Sequence, residues 1–181
     1  MELIRRYGTP KDFLQKYNPA YQLRICSNTD ECLFGDYPTL GKLSFYGKSF
    51  GGTWLMVQLT ELSEYCGCKE KMSVDVIEQC AELIVMSYGY LKVSEIMLFL
   101  FRFKLGDYGK FYGAIDPMVI TCALRNFIYD RNLLIDKHEH KLRELREAEE
   151  KKNCIPYEEY LRRKAEREAG GTTASNTTKQ G

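Results

Sequence analysis

Between Arg102 and Arg131 the chain gathers cations, aromatic rings and glycines in a pattern suited to holding phosphates and stacking on flat rings. Arg102 and Lys104 close one apolar run. The loop Gly106-Asp-Tyr-Gly-Lys-Phe-Tyr-Gly113 follows, and Asp116-Pro117 then opens a second run that carries Arg125 and Arg131. Glycines let a backbone turn tightly or approach another chain closely, and the N-terminus of the following helix attracts anions. Contact with nucleic acid or a protein partner is therefore expected through Arg102, Lys104, Tyr108, Lys110, Phe111, Tyr112, Arg125 and Arg131. The competing reading is an ordered interhelical loop whose aromatics cover the core. In that reading the arginines form ion pairs, Arg131 with Asp130 or Arg102 with Glu95.

Other chemistries find less support. The spacing Gly-x-x-Gly-x-x-x-Gly matches neither the dinucleotide fingerprint nor the ATP-binding loop with its Gly-Lys-Ser/Thr. The two histidines, His138 and His140, fall in a charged stretch, and no serine or cysteine has a motif that pairs it with a base. Cys66-x-Cys68 with Cys80, or His138-x-His140, lacks the paired spacing of structural zinc. Asp75, Glu78 and Glu82 read as one solvated helix face. No catalytic set, metal or cofactor is expected.

Composition sets the frame for these residues. The 181 residues carry a net charge of +1, so any basic footprint is local, and 13% are aromatic, which leans toward binding. Seven scattered cysteines form no disulfide frame and point to free thiols in a reducing compartment. The first nine residues hold no apolar run. The longest apolar block, 96–101, is too short to span a bilayer.

No alternating β-pattern exceeds a few residues, so the expected class is all-α. Residues 1–37 read as an irregular N-terminal arm, 38–135 as a helical core of about four to six helices, 136–169 as a charged helix and 170–181 as a disordered tail. Within the core, Pro38–Tyr46 suits a short helix. Thr53, Ser73 and Ser94 are expected helix caps, Gly67 and Gly106 expected stops, and Asp116-Pro117 a cap with proline in the first turn. The run from Glu95 to Leu105 is apolar nearly all round and should be the most buried helix. From Asp136 to Ala169, ten acidic and ten basic residues cancel, and Pro156 should break the helix. Leu133, Leu142, Leu145 and Ile155 make no sustained heptad, so a solvated helix is expected there rather than a coiled coil.

The segments CLFGDYPTLGKLSFYG at 32–47, WLMVQLTELSEYCGC at 54–68 and YLKVSEIMLFLFRFKLGDYGKFYGAIDPMVITCALRNF at 90–127 resemble an uncharacterised family of small proteins from Bacteroidetes genomes, prophages and mobile elements. The pattern Arg102-Phe-Lys-x-Gly106-x-Tyr-Gly109-x-Phe-Tyr-Gly113, followed by Asp116-Pro117, carries the resemblance, which covers about the first three quarters of the chain and lapses in the charged tail. It implies a phage or mobile-element setting in the cytoplasm of a bacterial host. In general shape the chain is also similar to phage helicase loaders, an analogy of form. The expected function is that of a non-catalytic DNA-replication accessory protein. It would touch DNA, a replicative helicase or another replication protein through the 102–113 loop and the start of the helix after it. The alternative is an interaction or inhibitory module acting on a host protein.

Overall fold

A computed structural model describes residues 2–67, 71–109, 116–153 and 156–170. Nine α-helices account for most of the described residues: α1 (Glu2–Tyr7), α2 (Pro10–Lys16), α3 (Gln22–Ile25), α4 (Thr29–Phe34), α5 (Phe50–Tyr65), α6 (Val74–Tyr88), α7 (Val93–Leu105), α8 (Pro117–Asn153) and α9 (Tyr157–Gly170). The 3-10 turns Pro19–Tyr21 and Gly41–Phe45 link the early ones. The class is all-α, as the sequence pattern indicates. The only β-type pairing among the described residues is the isolated antiparallel bridge Thr39–Lys92.

The first 37 residues are more ordered than an irregular arm. Thr9 caps α2 through its hydroxyl, and Asp12 returns a bond by accepting from the Thr9 backbone N–H at 2.8 Å, a reciprocal pair that fixes this start. Asn18 caps the 3-10 turn Pro19–Tyr21 and Asn28 caps α4, each by accepting backbone N–H groups. These short helices are part of the core, for Phe13, Tyr17, Cys32 and Leu33 are all buried. Four to seven residues are too few for a helical period to show in sequence, and such helices depend on tertiary packing for their stability.

Pro38–Tyr46 is not an α-helix. Its first residues run beside 89–93: Leu40 N–H donates to Leu91 O and Gly41 N–H to Gly89 O, both at 2.8 Å. A Cβ on Gly41 would lie 3.2 Å from Gly89 O across this crossing, and one on Gly89 2.9 Å from Val85 O, so glycine suits both positions.

Two caps differ from expectation. Helix α5 begins three residues before Thr53, whose hydroxyl instead donates back to Ser49 O. Helix α7 begins at Val93. Its entry is closed by Glu95, which accepts the Lys92 backbone N–H at 2.7 Å. Ser94 is buried inside the first turn and donates to Cys32 O at 2.7 Å. Ser73 does cap α6, accepting from Val76 N–H. Gly106 ends α7 with φ 85°, the left-handed conformation that glycine adopts freely. Asp116 starts α8 by accepting Met118 N–H at 2.6 Å.

Helix α7 is the central element. Nine of its thirteen residues are buried, including Ile96, Met97, Phe99, Leu100 and Phe103. Against it pack α3, α4 and α5, and α5 also packs along α6. Helix α6 turns Ile77, Cys80, Ala81 and Ile84 inward, an i, i+3, i+4, i+7 stripe. Ile120, Ala123, Leu124 and Phe127 do the same on α8, where Phe127 meets Phe99 at 5.7 Å between ring centres.

The chain divides into two units, 1–135 and 136–181, with α8 running across the division. None of the described side chains in the second unit is buried. Its charges pair along the helices at i, i+4, as in Arg163–Glu159 and Arg162–Glu166. Pro156 lies outside both helices and immediately precedes α9, a position that suits its lost N–H.

Candidate partner interface

The cations singled out in the sequence divide by what they touch. Lys104 leaves α7 toward α5, where Nζ forms an ion pair with Glu61 and donates to Gln22 Oε1 at 2.8 Å. The ring of Tyr65 lies 5.2 Å from the same ammonium. Only 12% of the Lys104 side chain is exposed. It ends a polar chain through the core: Gln22 Nε2 donates to Gln58 Oε1, Gln58 Nε2 to Tyr17 O, and Trp54 Nε1 to the same carbonyl. Every member has a partner, so the chain fixes α3, α5 and α7 relative to one another.

Arg131 is held at the other end of α7. Its Nε donates to Glu95 Oε1 at 2.7 Å, and the Glu95 side chain is wholly buried. Glu95 is thus paired with Arg131 and not with Arg102. The Arg131 guanidinium also lies over the Tyr90 ring.

Arg102 and Tyr108 form a third group. Arg102 is half-buried, its guanidinium 6.0 Å from the centre of the Phe127 ring. Tyr108 folds back from the loop so that its ring lies 5.7 Å from Phe99 and 6.3 Å from Phe103. Burial pushes its phenol up to about 12, against a smaller downward pull from Arg102. The enclosed hydroxyl completes no hydrogen bond of normal length and angle among the described residues, although the Arg102 guanidinium stands beside it. At least at Tyr108, then, the loop's aromatic covers the core. Lys110, Phe111 and Tyr112 lie outside the described residues.

Arg125 differs from the others, because it is exposed on the outer face of α8. It shares that face with Met118, Cys122 and Tyr129, spaced by four, three and four residues. Met118 is 70% and Tyr129 67% exposed. Tyr108, Met118, Val119, Cys122, Ala123 and Asn126 line an adjoining groove of about 260 Å³. The spacing of this stripe is legible in the sequence. What the sequence did not mark is that it faces out, because Val119, Leu124 and Ile128 offer competing apolar sides. The buried partners Gln22 and Gln58 were missed and Glu95 was matched to the wrong arginine, since nothing local distinguishes a buried glutamine or glutamate from a solvated one.

Among the described residues no group of three or more His, Cys, Asp and Glu side chains could hold a metal ion, and no helix is long and apolar enough to cross a membrane. The two histidines sit in the second unit, where the His140 side chain is 70% exposed and faces Glu144.

The fold is that of an all-α protein built around one buried helix, α7. The model of DUF6633, a family of unknown function, matches residues 71–170. That is more than half of the chain, and the protein belongs to this family. The match runs from the start of α6 through α9, so it includes the charged helices that the resemblance left out and omits the first 70 residues. No curated protein and no solved structure matches the chain.

Proposed function

We propose that this protein is a non-catalytic accessory factor that works by binding another protein through the amino-terminal half of α8. The observation that carries the reading is the outward stripe Met118, Cys122, Arg125 and Tyr129, on a helix whose opposite face is already buried by Ile120, Ala123, Leu124 and Phe127. Methionine, tyrosine and arginine are the residue types enriched where proteins meet, and exposed apolar side chains grouped on one face mark contact sites. The cation count favours a protein partner over DNA. Lys104 and Arg131 are spent on Glu61 and Glu95, which leaves Arg125 as the exposed member of the described set.

The phage or mobile-element setting implied by the resemblance makes a replicative helicase, or another replication protein of the bacterial host, the partner to test first. Tagged protein is used to capture partners from that host, with and without nuclease, beside the variant Met118→Ser/Tyr129→Ser. The expected result is a replication protein that survives nuclease and is lost with the variant. Equal capture by the variant, or recovery that depends on nucleic acid, would overturn the reading.

A further inference from the structure

Helix α6 offers a second surface, of opposite electrical sign. Beside its buried face runs a stripe that begins at half-buried Val76, continues through exposed Gln79, Leu83 and Met86, and is followed at the same spacing by Tyr90 just past the helix end. The steps of three, four, three and four residues are those of a helix-pairing seam. Met86 is 86%, Tyr90 54% and Leu83 52% exposed. Arg131 covers one side of the Tyr90 ring, so Leu83 and Met86 carry most of the open apolar area. One flank of the stripe is acidic, with Asp75 and Glu82 seven residues apart and Glu78 beyond them. No lysine or arginine occurs from Val74 to Tyr90.

We propose that this face of α6 docks a basic amphipathic helix from another protein, with the apolar side chains of that helix seated on Leu83 and Met86 and its lysines or arginines against Asp75 and Glu82. The charge pattern selects this occupant. A second copy meeting the same face would set Asp75 and Glu82 against their own counterparts, and like charges across an interface are costly. A nucleic acid is repelled by the same carboxylates. From Val76 to Tyr90 the stripe spans about 21 Å, so the partner segment needs about four helical turns. The stripe lies within the part of the chain matched by the family and shares no residue with the α8 face.

The test uses the full chain and two fluorescent designed helical peptides with the same leucine seam, one flanked by lysine and one by glutamate, followed by anisotropy at low salt. The lysine peptide should bind at least about tenfold more tightly than the glutamate peptide. Leu83→Ser/Met86→Ser, both at exposed positions, should lose that binding with unchanged helical circular dichroism. Asp75→Lys/Glu82→Lys should reverse the order of the two peptides. Equal binding of the peptides, or wild-type binding of the lysine peptide by Leu83→Ser/Met86→Ser, would overturn the proposal. So would self-association of the free chain that disappears with Met86→Ser.

Discussion

Charged side chains do different work before and after Ile135. In the first unit Glu95 is fully buried and Lys104 nearly so, and each meets a partner distant in sequence: Arg131 lies 36 residues from Glu95, and Glu61 43 from Lys104. In the second unit the described ion pairs join residues four apart on one helix, and their side chains are a third to about seven-tenths exposed. A long-range buried pair fixes which helices meet. A local exposed pair adds a few tenths of a kcal/mol to a helix that water already surrounds. Charge alone, therefore, does not identify a binding surface, and the outward cation Arg125 says more than the buried ones.

The largest expected break comes at Glu95. Glu95→Ala removes the carboxylate that pairs with Arg131 and leaves the Lys92 backbone N–H without its acceptor, and should cost about 3–5 kcal/mol in denaturant unfolding. A loss under about 1 kcal/mol would mean that the pair does not anchor α7 to α8. Next is Gln58→Ala, which removes one donor to Tyr17 O and leaves Gln22 Nε2 without its acceptor. The expected cost is about 1–3 kcal/mol.

Alkali gives a smaller test of the same core. Burial raises the Cys80 thiol from 9.0 to about 11 and the Tyr108 phenol from 10.0 to about 12. Both groups stay protonated in the folded protein at pH values where the unfolded chain has lost the proton. Their contribution is complete below the unfolded values and declines as pH rises, from about 9 to 11 for the thiol and 10 to 12 for the phenol. A thermal midpoint that stays flat from pH 8.5 to 11 would count against a closed core at Cys80. The smallest effect belongs to the second unit, where Glu159→Ala should change stability by less than about 0.5 kcal/mol despite its 2.7 Å contact with Arg163.

The helices that carry the core announce themselves in sequence because their signals are local. Ser73, Gly106 and Asp116-Pro117 act on backbone within four residues of themselves, and the run 95–105 is apolar enough to be central in any packing. Thr53 and Ser94 mislead for the opposite reason. The start of α5 passes through Gly51 and Gly52, which local propensity disfavours, yet a Cβ on Gly51 would lie 3.2 Å from Leu40 O, so tertiary packing explains the glycine. Ser94 gives its hydroxyl to Cys32, 62 residues away. The candidate interface was legible in the same measure. The cations and the α8 stripe could be named from spacing, but which cations the fold consumes depends on Gln22, Glu61 and Glu95, and those contacts exist only after folding.

One titration tests the central claim that α8 serves a protein partner and that most of the cations are committed to the fold. Labelled single-stranded and duplex DNA are titrated with the full chain between 50 and 200 mM salt, and the log of the binding constant is plotted against the log of the salt concentration. The account predicts weak binding, with Kd no tighter than the nonspecific range of about 10⁻⁴–10⁻⁶ M, and little change on Arg125→Glu. Binding in the nanomolar range, with a steep salt slope and a large loss on Arg125→Glu, would contradict it and make nucleic acid the ligand of this face.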